Sequence, residues 1–137
     1  NIGTLVVGYN VTFQQNSNIG KVNNQNFVNI PYGLLRSKLE YLCELNSINY
    51  VEQEESYTSK ASFFDRDEIP VYNSDNPKSY TFSGKRVKRG LYKSFTGYKY
   101  NADINGALNI LRKSNVVDLT ILYSRGEVNT PIRIRLA

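Results

Sequence analysis

The sequence predicts an α/β chain: a strand, a helix and a second, parallel strand, then a loop-rich β insertion, then a second helix and a short tail. Three observations predict it. Thr4 to Val7 form a short apolar, β-branched run closed by Gly8, too short for a helix and suited to a buried strand of a parallel or mixed sheet. After Pro31 the apolar residues recur at helical spacing. From Ser56 to Tyr100 that periodicity fails, and Pro70, Pro77, Gly84, Gly90 and Gly97 break the chain into short β-like pieces.

After the first strand, Asn10 to Asn29 is rich in Asn and Gln and reads as a long loop. In the helix that follows, Tyr32, Leu35, Leu39, Leu42 and Cys43 fall on one face, with Arg36, Lys38 and Glu40 elsewhere. The helix is expected to end near Asn46, and Cys43 to lie in its core face. Ile48 to Glu55 reads as the second strand, with Val51, Gln53 and Glu55 on one face and Tyr50 and Glu52 on the other. Strand, helix and strand make a βαβ unit.

Within the insertion, Ile69–Tyr72 and Tyr80–Phe82 read as β-like pieces, and one or two hairpins are expected. A second helix follows on Ile104, Ala107, Leu108 and Leu111, capped by Asn101 with Asp103 in its first turn. Val116–Tyr123 and Ile132–Leu136 read as β-like around a turn at Gly126. The expected divisions are residues 1–55, 56–100 and 101–137.

The 137 residues fit one domain that can bury a core without staples. With Cys43 alone, the chain has no disulfide framework and no cysteine-based zinc site. With no histidine, it has no His general base, Ser-His-Asp triad or His metal ligand. Any chemistry must run on carboxylates, amides, hydroxyls, Lys and Arg. Seventeen Lys and Arg against twelve Asp and Glu leave a charge of +5, which favours a polyanionic partner. No apolar run approaches the roughly 18 residues of a membrane span, and no signal peptide is visible. A cytoplasmic location is therefore expected. The chain starts at Asn1 and contains no methionine, so a piece of a longer protein is expected.

Two acids stand out by position. Glu55 ends a predicted parallel strand, where sites gather in open α/β sheets. Asp103 opens a helix, whose dipole favours its ionised form. Two carboxylates brought together would suit a magnesium ion, which prefers oxygen ligands and could serve phosphodiester cleavage. Taken singly, Asp103 reads first as dipole complementation, and Glu52, Glu54 and Glu55 as a solvated acidic edge. The basic residues Lys85, Arg86, Lys88, Arg89 and Lys93, interleaved with Phe82, Tyr92, Phe95, Tyr98 and Tyr100, suit phosphates and stacked bases. They equally suit a solvated loop with aromatics packed beneath it. Asp65, Asp67 and Glu68 read as turn residues rather than metal ligands.

The segment Glu55-Ser-Tyr-Thr-Ser-Lys60 resembles the E-x-Y-T-S-K stretch of TnpB/OrfB proteins. Asn101-Ala-Asp-Ile-Asn-Gly-Ala-Leu-Asn-Ile110 resembles their third RuvC motif, R-D-x-N-A-A-x-N-I. Ile2 to Asn10 looks like the strand of the second RuvC motif, and the tail from Thr130 to Arg135 is also similar. The resemblance implies a partial RNase H-like (RuvC-like) domain: a βαβ part of the core in 1–55, an insertion in place of a zinc ribbon in 56–100, and the third-motif helix with its tail in 101–137. It implies an insertion-sequence protein, commonly described as a transposase and tied to transposition and DNA recombination. Its implied activity is that of a magnesium-dependent, RNA-guided DNA endonuclease related to type V CRISPR effectors, with DNA and guide RNA as partners. Glu55 and Asp103 become the catalytic, magnesium-holding acids, with Asn105 and Asn109 in support. Lys60 joins Lys85, Arg86, Lys88, Arg89 and Lys93 in holding nucleic acid.

The sequence departs from that pattern in three places. The first-motif aspartate would lie before Asn1. Gly8-Tyr9-Asn10 stands where the second motif reads E-D-L, which leaves Glu55 as a displaced acid. The two Cys-x-x-Cys pairs of the zinc ribbon are absent, with Ala61-Ser-Phe-Phe-Asp65 in the region of the first. Zinc is thus excluded, and the insertion is expected to be held by side-chain packing alone. Two other readings share this fold: a catalytically inactive nucleic-acid-binding module, and a decayed transposase that still folds, for which a homodimer is one way to cover an open sheet edge.

Overall fold

The computed structural model describes residues 2–10 and 31–124. Most of the Asn/Gln-rich stretch, and the tail from residue 125 onward with its Gly126 turn and the Ile132–Leu136 piece, lie outside the described residues. The chain is a mixed α/β structure that divides into two compact units, 1–55 and 56–137.

In the first unit, β1 (Thr4–Tyr9) leads to α1 (Tyr32–Leu45) and then β2 (Asn49–Glu54). The two strands pair in parallel from Thr4↔Asn49 to Tyr9↔Glu54, so the expected βαβ unit is present. Glu55 N–H extends the ladder by donating to Tyr9 O at 3.1 Å. The helix stops at Asn46, whose side-chain amide donates to Leu42 O at 2.8 Å. Ser47 then takes the left-handed conformation (φ 54°) that turns the chain back toward the sheet.

The inward face of α1 differs from the apolar stripe. Tyr32, Arg36, Leu39 and Cys43 are the covered positions, while Leu35 and Leu42 stay about half exposed. Arg36 joins that face because its fork closes on the Glu52 carboxylate through Nε (2.6 Å) and Nη2, and its guanidinium lies 5.2 Å from the Tyr9 ring centroid. Cys43 is buried, as its position predicted. Arg36 and the Tyr50 hydroxyl hold the Glu52 carboxyl below its usual range, the hydrogen bond from Arg36 being the largest cause. A carboxyl depressed in the folded state contributes stability above its unfolded pKa, and that contribution is lost as pH falls through the folded value. Acid titration of wild type and Glu52→Gln, followed by circular dichroism, should therefore show an advantage of wild type at neutral pH that shrinks as pH falls below the usual glutamate range.

In the second unit, residues 56–84 run without strands. Ile69–Tyr72 and Tyr80–Phe82 are irregular, unlike the β-like pieces expected. Pro70 and Pro77 remove backbone donors from this stretch, and no described strand lies beside it to pair with. A three-stranded antiparallel meander follows: β3 (Lys85–Lys88), β4 (Leu91–Lys93) and β5 (Lys99–Asn101). Gly90 (φ 74°) and Gly97 (φ 90°) supply its turns. Gly84 leads into β3 against the buried Tyr92 ring. A Cβ there would come 2.5 Å from that ring and 2.8 Å from Lys93 O. Gly84→Ala should cost about 1–3 kcal/mol of stability, the range for overpacking a well-packed site, read from the urea midpoint.

Helix α2 (Ala102–Ser114) starts where expected. The Asn101 side chain accepts from the backbone N–H of Asp103 (2.7 Å) and Ile104 (3.1 Å). Left-handed Asn115 ends it. Val116–Tyr123 is not a strand: a turn leads into a short 3₁₀ segment, Thr120–Tyr123, nucleated by Asp118, whose carboxylate accepts from Thr120 N–H and hydroxyl. Phe63, Leu108 and Leu119 form the apolar centre, with Tyr123 stacked on Phe63 at 4.7 Å. Tyr92, Tyr100 and Ala102 form a second cluster, joined to the first through Phe64.

Candidate nucleic-acid interface

The register of the meander determines which basic side chains act together. Lys85 pairs with Lys93, and Lys93 pairs with Lys99. Residues directly opposite share a face, so three lysines form one row across three strands. Neighbouring Cβ atoms in such a row are about 5 Å apart, and like charges so placed destabilise the sheet. The ladder then shifts between Arg86 and Lys88. This bulge at Val87 breaks the alternation and puts Lys88 opposite Leu91, on the Lys85–Lys93 face. The opposite face carries the row Arg86–Tyr92–Tyr100, whose two tyrosines are buried. Burial pushes the Tyr92 phenol well above its usual range, and its hydroxyl donates to Lys60 O at 2.7 Å.

Of the basic residues singled out in the sequence, Lys85, Lys88 and Lys93 thus share a face. Arg89 lies exposed at the β3–β4 turn. Arg86 is on the other face, 3.6 Å from the Asp103 carboxylate. Lys60 lies outside the strands, its carbonyl bound by the Tyr92 hydroxyl and its ammonium 6.0 Å from the Tyr57 ring centroid. Lys99 completes the row and was not singled out. Only the β4–β5 register, which depends on the Gly97 turn, brings it there.

The two acids belong to different units. Glu55 follows β2 at the carboxyl end of the parallel pair. Together with Val7, Tyr9, Tyr32 and Arg36 it lines a cavity of about 640 Å³ formed by the described residues. Partial burial, and after it the Glu54 charge, raise its carboxyl above the usual range. Asp103 sits in the first turn of α2 with its side chain 84% exposed. Among the described residues no three acidic or cysteine side chains converge as a metal cluster.

The predicted apolar stripe of α2 is covered at Ile104, Leu108 and Leu111, with Ala107 exposed, and beside it Asn105 and Asn109 are fully buried as well. Asn105 accepts from Phe63 N–H (3.0 Å) and Tyr100 hydroxyl (2.7 Å) and donates to Ala61 O (2.8 Å). Asn109 donates to Thr58 O (2.9 Å) and Ala61 O (2.7 Å). Arg112 and Lys113 extend the same clamp to the carbonyls of Asp67, Ser56 and Pro70. Two carboxylates tie the other side. Asp65 accepts from Ser62 hydroxyl and Phe95 N–H, and Asp67 from Ser62 N–H and from Ser83 N–H and hydroxyl. The insertion is therefore not held by packing alone. Hydrogen bonds to its backbone cross-link it as well, since a loop with buried peptide groups must satisfy them.

No described helix is long and apolar enough to cross a membrane. No curated protein matches the chain. The Cas12f1-like, TNB domain family matches residues 32–110, which include β2, the clamped segment, the lysine row and the start of α2. That match covers more than half of the chain, and the protein belongs to the TnpB/Cas12-like family through its Cas12f1-like TNB domain.

Proposed function

We propose that the chain binds nucleic acid by the phosphate backbone, with Lys85, Lys88, Lys93 and Lys99 as the contact face, and that it works within a RuvC-like DNA endonuclease of the TnpB/Cas12 kind. The observation that carries the binding reading is the lysine row. It costs the sheet stability as it stands, and a polyanion laid across it would relieve that cost. Guide RNA and target DNA are the polyanions such proteins handle. The family match supports this reading.

The cleavage part of the proposal rests on Glu55 and Asp103 within an RNase H-like core. Both offer hard oxygen donors suited to magnesium, and Glu55 carries a carboxyl whose ionised form a cation would favour. Magnesium, when bound, supplies Lewis-acid stabilisation of the charge on a phosphodiester. The chain's own part is to hold the acids: the β2 ladder places Glu55, and the Asn101 cap places Asp103. Arg86, beside Asp103, can position a phosphate there.

The test combines binding and cleavage. A labelled 30-base-pair duplex should bind the purified chain equally in EDTA and in magnesium. Asp103→Ala should bind two- to five-fold tighter, because it frees Arg86 and removes a negative charge; that figure is roughly the worth of one weak surface charge contact. Magnesium-dependent nicking should be slow, since two carboxylates rarely build a two-metal site. Any nicking seen should vanish in Asp103→Asn and Glu55→Gln. Failure to bind DNA at 50 mM salt would remove the binding proposal. Nicking that survives both substitutions would remove the assignment of the acids.

A further inference from the structure

Four aromatic rings gather on the surface of the second unit. The Tyr57 ring centroid lies 5.1 Å from that of Tyr80, 6.0 Å from Phe82 and 6.5 Å from Tyr72, in edge-on and tilted pairs. Tyr72 and Tyr80 remain 47% and 40% exposed, on a stretch where every residue from 71 to 81 is exposed. The same unit buries Tyr92, Tyr100 and Phe63 almost completely. Aromatic side chains recruited only for packing are therefore treated differently here.

Tyr57 also holds a left-handed backbone (φ 62°), a conformation that bulky side chains rarely adopt and that clusters at functional positions. Two backbone bonds keep it there: Lys60 N–H and Ala61 N–H both donate to Tyr57 O at 2.9 Å. The ring at the centre of the cluster is thus held by the same loop that α2 clamps. The Lys60 ammonium stands beside it.

We infer that Tyr57, Tyr72, Tyr80 and Phe82 form a stacking platform for unpaired bases of a single-stranded nucleic acid, whose backbone is drawn by Lys60 and by the start of β3. This rests on the proposal that the chain binds nucleic acid and adds the form of strand it takes. The chemistry selects a single strand. Exposed rings can accept a base only through its flat face, and a duplex hides those faces within its own stack. Charge agrees, since an anionic chain is favoured by the Lys60 ammonium and by Lys85 at the start of β3. Lys85 follows Tyr80 by five positions, a span of at most about 18 Å, so one short oligonucleotide can touch both.

The experiment compares three labelled probes on the full chain by fluorescence anisotropy: a 12-nucleotide thymidine strand, an abasic strand of equal charge, and a blunt duplex. Wild type should bind the thymidine strand more tightly than the abasic one. Tyr72→Ala with Tyr80→Ala should weaken the thymidine strand by about 30-fold, the loss of two base stacks, and bring it level with the abasic probe. Duplex binding should not change. Tyr72→Phe with Tyr80→Phe keeps the rings and should behave as wild type. Equal binding of thymidine and abasic strands by wild type, or an alanine variant that keeps the preference for bases, overturns the platform while leaving backbone binding intact. Failure of wild type to bind any probe overturns both readings.

Discussion

Asn105→Ala is expected to lower stability by about 3–5 kcal/mol, with a fall in urea midpoint to match. Its side chain is fully buried and makes three hydrogen bonds, to Phe63 N–H, Tyr100 hydroxyl and Ala61 O. A net hydrogen bond is worth about 1 kcal/mol, and a buried partner left unsatisfied costs about 1–3 kcal/mol more. Alanine strands the Phe63 amide and the Tyr100 hydroxyl in the core. Asn109→Ala is the informative contrast. Its amide shares Ala61 O with Asn105, and its own Oδ1 has no partner among the described residues. Removing Asn109 leaves Ala61 O bonded to Asn105 and deletes an orphaned acceptor, but gives up the bond to Thr58 O, so the loss should be about 1–2 kcal/mol. Equal effects of the two substitutions would mean that the clamp is not arranged as described.

Replacing Lys85, Lys93 and Lys99 together by threonine should have opposite effects on binding and on folding. Each lysine that neutralises a phosphate adds about 0.9 to the slope of log affinity against log salt for duplex DNA. Three lysines account for a slope of about 2.7, or roughly 40-fold in affinity between 50 and 200 mM salt. The variant should lose that part of the salt dependence. Its stability should stay level or rise, because cross-strand repulsion disappears and threonine suits a strand. A surface row with no partner would show the gain in stability with no loss of binding. Asp103 and Glu55 remain in this variant, so any cleavage it loses reports on DNA capture rather than on the acids.

The elements that depend on neighbouring residues were legible in the sequence. The β1 run, the Asn101 cap, the stop at Asn46 and the glycine turns of the meander follow from local sterics and local hydrogen bonds. The failures share a cause. Arg36 was assigned outward and faces inward, because Glu52, sixteen residues away, supplies its partner. Val116–Tyr123 had strand-forming residues but has no described strand to pair with and yields to the Asp118 turn. The buried asparagines of α2 escaped an apolar-periodicity reading because their burial is compensated by carbonyls more than forty residues distant.

The same division holds for the candidate site. The sequence by itself determined the charge, the absence of histidine and of paired cysteines, and the two motifs around Glu55 and Asp103, since these are properties of residue type and order. Only the tertiary structure decided that a bulge at Val87 and a turn at Gly97 bring Lys85, Lys88, Lys93 and Lys99 onto one face. Strand register has a period of two, so one inserted residue reverses every side chain beyond it. No pattern of charges along the chain carries that information.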